Sequence, residues 1–356
     1  MQTNQFPLGS AIPGGWSVGL AREQGEKADA SDFAIGRSDG ILLGDGAFID
    51  GFGVQKQILF GPGNFDVVPA QSREWPVRDQ AMRSTCTAFA VIAAEEIWQM
   101  LRTEGNVTFL SEEFLYAKTV EISIGSLNID LEDGEIDALT NSGATFLLQA
   151  MHALQSAGVC ERHLAPYDKE LALSTVKTPT VDALTDAQRR ISPPDSFVHN
   201  IVNSRQGDVV GLDQKWTTKL QGKTISQIIL EALQTQVAVT AAFAVLGGIG
   251  RFSWLGVDAA AHGVVSYPLD DDAALLDPIG GHAVCIIGFV PDSSDATGRL
   301  GWFFFRNSYG SHSFGRDAGE TPTPPNSPVP GYGMISTADV DRYCWEYLFR
   351  RAPPLG

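Results

Sequence analysis

Cys86 lies in the stretch VRDQAMRSTCTAFAVIAAEEI (77–97), between a polar run and a long apolar one. The nucleophile in acyl transfer is a thiolate, and a helix N-terminus beside an imidazolium lowers a cysteine pKa to roughly 3.5 to 7.5. Cys86 stands where the apolar helix should begin, so position alone meets the first of those conditions. Acyl chemistry also needs a base, a group that orients the base, and donors for the developing oxyanion. Gln80, six residues upstream, supplies an amide donor if residues 81–85 loop back, and the backbone N–H of Cys86 is a second. The alternative is that Cys86 is a small buried hydrophobe, because free cysteine is among the most buried residue types. Cys160 and Cys285 are read in that second way.

The elements that must position these groups follow from periodicity. Residues 86–103 are strong helix formers with a first half apolar nearly all round, which predicts a buried helix. In LSEEFLYAKTV, Ser111 reads as an N-cap, and Glu112 and Glu113 complement the helix dipole. Residues 145–157 predict a third helix stopped by Gly158, and 224–236 a fourth. Strand-like runs follow at 237–245, 282–290 and 301–307, whereas 169–222 has no clear period. Helices first and strands later predict an α+β protein. Residues 1–63 are Gly-rich, short of periodicity, and read as an extended arm; 321–331 read as a Pro-rich exposed loop.

Bulk composition excludes several classes. A chain of 356 residues with 44% hydrophobic content is long enough for a sizeable core. The net charge of −17 argues against nucleic acid as a partner, since phosphate binding needs a basic footprint. No run approaches the ~18 apolar residues of a membrane span, and the first residues show no secretory signal. The expectation is a cytoplasmic protein, or one exported without a signal peptide. The four cysteines show no close pairing, so neither a zinc site nor a disulfide framework is expected. No metal or cofactor is called for. The acidic runs DLEDGEID and LDDDAALLD do not fit a calcium loop and are read as solvated.

Four further blocks carry a resemblance. Val77, Asp79, Gln80, Ser84, Cys86, Ala88 and Phe89 stand in the register V-x-N/D-Q-G-x-C-G-S-C-W-A-F-S. GGHAVCIIGF (280–289), FFRNSYGSHSFG (304–315), LSEEFLY (110–116) and LQAMHALQSAGVCERHLAPYD (148–168) follow in the same order. The chain thus resembles the papain-like (cathepsin-type) cysteine peptidases over about 64–345. The resemblance implies a two-lobed fold with an active-site cleft between a helical lobe (about 80–168) and a β-barrel-like lobe (about 169–350), within a domain at 64–356. It implies Cys86 as nucleophile, His282 as general base and then acid, Asn307 as the group orienting the imidazole, and Gln80 as oxyanion donor. Cys-His-Asn is a known variant of the nucleophile–base–orienter arrangement. Independently, His282 opens an apolar strand, where a histidine has no packing reason to be, and Asn307 ends another. His262 and His312 are rival bases at positions the family does not use.

Departures from the pattern also carry expectations. Thr87 and Tyr309 stand where the family has Trp, and Tyr309 can still shield the Asn–His hydrogen bond with an aromatic face. Arg83 replaces the cysteine three residues before the nucleophile and is read as solvated rather than as an aid to the thiolate. Gly143 and Ala144 are candidates for pairing with substrate backbone, and Ala241 and Ala283 for lining a roomy apolar specificity pocket. His282 lies further from Cys86 than the family's ~130 to 150 residues. Surface insertions at 118–142, 169–222 and 247–280 account for the surplus. The implied activity is peptide-bond hydrolysis through a thioester, in a bacterial or viral protein, with 1–63 as an inhibitory pro-segment or docking arm. Two alternatives stay open: an acyltransferase or deamidase with the same triad, and a non-catalytic scaffold.

Overall fold

The structure is a computed structural model that describes residues 65–66, 77–103, 108–126, 145–172, 175–201, 223–246, 254, 256–267, 278–291, 300–317 and 330–351. The N-terminal arm, both acidic runs and most of the Pro-rich stretch lie outside the described residues. Three helices come first: α1 (Cys86–Arg102), α2 (Glu112–Ser126) and α3 (Leu147–Ser156). After β1 (Phe65–Asp66), the strands fall in the second half: β2 (Phe197–Ile201), β3 (Val239–Leu246), β4 (Val264–Val265), β5 (Pro278–Pro291), β6 (Gly301–Arg306), β7 (Tyr332–Ser336) and β8 (Cys344–Arg350). Shorter helices punctuate them: α4 (Val181–Ala187), α5 (Ile225–Gln234), α6 (Val257–His262), α7 (Gly310–Ser313) and α8 (Thr337–Tyr343).

The strands form one sheet in the order β2-β8-β3-β5-β6-β7-β4, with β1 added to β5. All pairs are antiparallel except β4 with β7. The end strands β2 and β4 lie at opposite ends of that order and do not pair with each other. The described strands therefore make an open sheet, not the barrel-like lobe expected from the sequence. No described helix is long and apolar enough to cross a membrane.

Helix α1 joins two apolar clusters. Its first half packs Ala88, Val91 and Ile92 against Leu115 of α2, Leu154 of α3 and Ala283 of β5. Its second half places Ile97 and Met100 among Ile229 and Leu233 of α5 and the β-sheet core. A helix used on both sides must be apolar around its circumference, which is the pattern its sequence carries. Ser111 caps α2 as expected, its Oγ accepting the Phe114 N–H at 2.9 Å. Gly158 stops α3 at φ +71, and a Cβ there would sit 2.1 Å from the Ala187 carbonyl oxygen, so only glycine fits.

Helix α3 begins at Phe146, which has no capping oxygen. The carboxylate of Glu346, far along the chain on β8, accepts the Leu147 N–H at 3.0 Å and the Leu148 N–H at 2.8 Å. A buried negative charge at a helix N-terminus satisfies two orphan donors and faces the positive end of the dipole. His199 Nε2 completes the arrangement at 2.8 Å. This ties α3 to β8 and β2, which the sequence does not announce.

Arg83 also departs from expectation: it is fully buried (0% exposed), not solvated. Its guanidinium donates to both Glu113 oxygens, at 2.5 and 2.9 Å, and to the carbonyls of Asp168 (3.0 Å) and Thr175 (2.7 Å). A charge without water must be paired and hydrogen-bonded, and the planar guanidinium fork meets both demands. Arg83 thus fastens the segment before α1 to α2 and to 168–175, at the position where the family has a cysteine. All four cysteines are free. Glu113→Ala, which leaves the Arg83 charge unpaired in the interior, is expected to cost about 3–5 kcal/mol in urea denaturation. Added reductant should leave the midpoint unchanged.

Candidate active site

The segment before α1 reaches the site by pairing with the segment after β6. Gln80 N–H donates to Ser308 O at 2.8 Å and Gly310 N–H to Arg78 O at 3.1 Å, around a bridge between Asp79 and Tyr309. The Gln80 side chain is held at both ends. Its Nε2 donates to Arg83 O at 2.7 Å, and its Oε1 accepts from Ser308 Oγ at 2.5 Å. The amide is therefore oriented before any ligand arrives, with a second N–H on Nε2.

Cys86 is the first residue of α1, as its place in the sequence suggested. Helix N-terminal N–H groups have no intrahelical partner, so the Cys86 N–H is available as a donor. Burial pushes the Cys86 thiol pKa up, and hydrogen bonds from the backbone of Ala283 and Thr87 pull it down. The sulfur therefore lies against the residue that follows His282. Thr87 Oγ1 donates to Thr145 O at 2.9 Å, which ties the first turn of α1 to the entry of α3.

His282 sits on β5, opposite Phe243 of β3. Its Nε2 lies 2.7 Å from Asn307 Oδ1. The same Oδ1 accepts the Ser308 N–H at 2.8 Å. A backbone N–H can only donate, and of the two ends of the Asn307 amide only the oxygen accepts, so the amide orientation is determined and His282 Nε2 must be the donor. The neutral imidazole then carries its lone pair on Nδ1. That atom is buried and has no hydrogen-bond partner among the described residues. Burial lowers the His282 pKa to about 3, against a smaller opposing effect of the Asn307 hydrogen bond.

Two aromatic rings hold the imidazole. Tyr309 stacks on it at 4.4 Å between centroids, and Trp254 meets it edge-on at 4.8 Å. Trp254 is itself oriented, its Nε1 donating to the Tyr267 hydroxyl at 2.8 Å, which donates to Ala244 O at 2.6 Å. Trp254 falls in a stretch read as a surface insertion, and nothing local in the sequence marks it. Ser308 was legible only as part of the Asn-Ser block. Neither rival histidine replaces His282: His312 is exposed and His262 closes α6.

The substrate-lining candidates separate. Ala283 lies in the apolar cluster with Cys86, and so does Ala242. Ala241 is in the other cluster, because successive strand residues face opposite sides. On β3, therefore, Ala242 and not Ala241 shares the Cys86 cluster. Gly143 and Ala144 lie outside the described residues.

No family model matches the sequence, and no curated protein matches it by sequence. Solved structures do match. Xylellain, a cysteine protease from Xylella fastidiosa, is 17% identical, over 81% of this chain and 85% of its own, with a TM-score of 0.52. Digestive procathepsin L 3 of Tenebrio molitor is 14% identical over 80% of this chain and 67% of its own (TM-score 0.44). A Carica candamarcensis cysteine protease in complex with E-64 is 16% identical over 77% and 92% (TM-score 0.42). The likeness to xylellain, together with the three leading helices and the antiparallel sheet behind them, identifies the fold: the chain is built as a papain-like cysteine protease is.

Proposed function

We propose that the chain is a cysteine endopeptidase that hydrolyses peptide bonds through a thioester acyl-enzyme. The observation that carries this reading is the His282–Asn307 pair, which leaves the Nδ1 lone pair unengaged beside the backbone that contacts the Cys86 sulfur. In this reading Nδ1 takes the thiol proton as the sulfur attacks the substrate carbonyl carbon. The oxyanion accepts from the Cys86 N–H and from Gln80 Nε2. As the tetrahedral intermediate collapses, the imidazolium returns its proton to the leaving amine. Water then attacks the thioester, losing its proton to Nδ1, and the C–S bond breaks as the acid product leaves, the sulfur taking the proton back from Nδ1. Asn307 and the two aromatic rings keep Nδ1, not Nε2, directed at the reaction.

Burial disfavours charge on both partners, with the Cys86 pKa raised and that of His282 lowered. The arm at 1–63 is assigned, in the same proposal, to intramolecular inhibition of this site.

Four measurements test the proposal. Cys86→Ala should reduce peptide turnover by at least about 10³-fold without lowering the thermal midpoint, since losing the nucleophile removes the covalent route. Iodoacetamide with peptide mapping should modify Cys86 ahead of Cys344; equal rates, with no turnover of peptides, would favour a non-catalytic scaffold. Products of hydrolysis gain one water across a backbone bond, which mass spectrometry separates from acyl transfer or deamidation. Deleting residues 1–60 should raise turnover, and no rise would count against inhibition by the arm.

A further prediction concerns pH and stability. Because the folded His282 pKa is about 3 and the unfolded value near 6.5, the unfolded state binds the extra proton between them. Stability from this group is complete above about pH 6.5 and lost as pH falls toward 3, at up to about 1.4 kcal/mol per unit. His282→Gln should flatten that limb in urea denaturation, relative to wild type.

A further inference from the structure

We infer that Tyr167 is a positioning residue for the Gln80–Cys86 turn, holding the Gln80 backbone and the entry to α1 through one hydroxyl group. The geometry stands by itself; the consequence for turnover rests on the peptidase reading above.

The turn is under strain. Ala81 has φ +50, a region that disfavours any residue with a Cβ, and the family pattern has glycine there. Within the turn, Arg83 N–H reaches Gln80 O only at 3.3 Å, and Asp79 Oδ1 accepts the Ala81 N–H at 2.8 Å. Strain of this kind persists only where the surroundings over-determine it. Tyr167 supplies that constraint from outside the turn, donating its hydroxyl proton to Gln80 O at 2.8 Å.

A phenol has one proton, so the second contact must run the other way. Thr85 Oγ1, 2.8 Å from the same hydroxyl, is the donor. Thr85 occupies the N-cap position of α1, yet its side chain makes no capping bond. A threonine there ordinarily accepts a helix N–H; this one is turned to Tyr167 instead. One hydroxyl thereby joins the residue that bears the oxyanion donor to the residue before the nucleophile. Burial pushes the Tyr167 pKa well up, so the group stays a donor across the working pH range. The ring is fixed separately, 4.7 Å from the Arg83 guanidinium and edge-on to Phe89 at 4.7 Å. Tyr167→Phe therefore removes the bridge and leaves the packing.

Hydrogen exchange and kinetics test the inference together. In Tyr167→Phe, amides of residues 81–88 should exchange at least about tenfold faster while those of α2 stay unchanged, the scale of one lost buried hydrogen bond. Thr85→Val, which cuts the other end of the bridge, should give the same pattern. On a peptide substrate, Tyr167→Phe should lower kcat about tenfold with KM within about twofold, because the oxyanion contact exists only in the transition state. In a Gln80→Ala background the same substitution should cost less than about threefold, since the amide it positions is gone. Unchanged exchange at 81–88, or an equal loss in both backgrounds, would overturn the inference. If the wild-type protein turns over no peptide, the peptidase reading fails, and the exchange data alone decide the role of Tyr167.

Discussion

Everything in this molecule depends on a helix that has almost no water around it. Helix α1 is covered by α2 and α3 on one side and by the sheet and α5 on the other. Its polar residues Glu95 and Glu96 must therefore find partners inside. Arg350 of β8 takes Glu95, and Arg78 takes Glu96 at 2.6 Å and also pairs with Glu112. Arg306 acts on Glu96 as well, by Coulomb attraction. Arg78 stands two residues before Gln80, and Arg306 immediately before Asn307. The charges that make the helix buriable are thus carried by the segments that deliver the site residues.

The same burial sets the chemistry. A dry environment fixes Gln80, His282 and Asn307 in single orientations, because each unpaired polar atom there is costly. It also disfavours the thiolate and the imidazolium. The structure answers with directional groups in place of counter-charges: Asn307 on Nε2, Tyr309 and Trp254 on the ring faces, backbone N–H groups toward the sulfur. No acidic side chain touches His282 among the described contacts, so the imidazole is oriented without being made more basic by a carboxylate.

Elements whose evidence is local were legible in the sequence. The helix over 86–103, the Ser111 cap, the stop at Gly158 and the strands near 237 and 301 all appear within a residue or two, and the strand expected from 282 begins four residues earlier, at Pro278. Periodicity and caps are decided by neighbours in the chain, so they survive without knowledge of the fold. Strand β2 was lost in the stretch without clear period, because its side chains are half-buried against β8 and show little alternation. The candidate residues could be picked out because Gln80, His282 and Asn307 are polar types beside apolar runs, and because their blocks and that of Cys86 keep one order along the chain.

Partners distant in sequence were not legible. Arg83 looks solvated until Glu113 and the carbonyls of Asp168 and Thr175 surround it, and Ala241 looks equivalent to Ala242 until the pleat places them in different apolar clusters. Trp254 and Tyr167 gain their places from contacts that no spacing rule encodes. By itself, the sequence determined which groups could do acyl chemistry and which elements would carry them, since residue type and local period are properties of the chain. The tertiary structure alone decided which nitrogen of His282 donates to Asn307, which alanine of β3 shares the Cys86 cluster and what holds the strained turn. Each of those depends on a hydrogen bond or packing contact between segments far apart, and a buried polar group is settled only when its partner arrives.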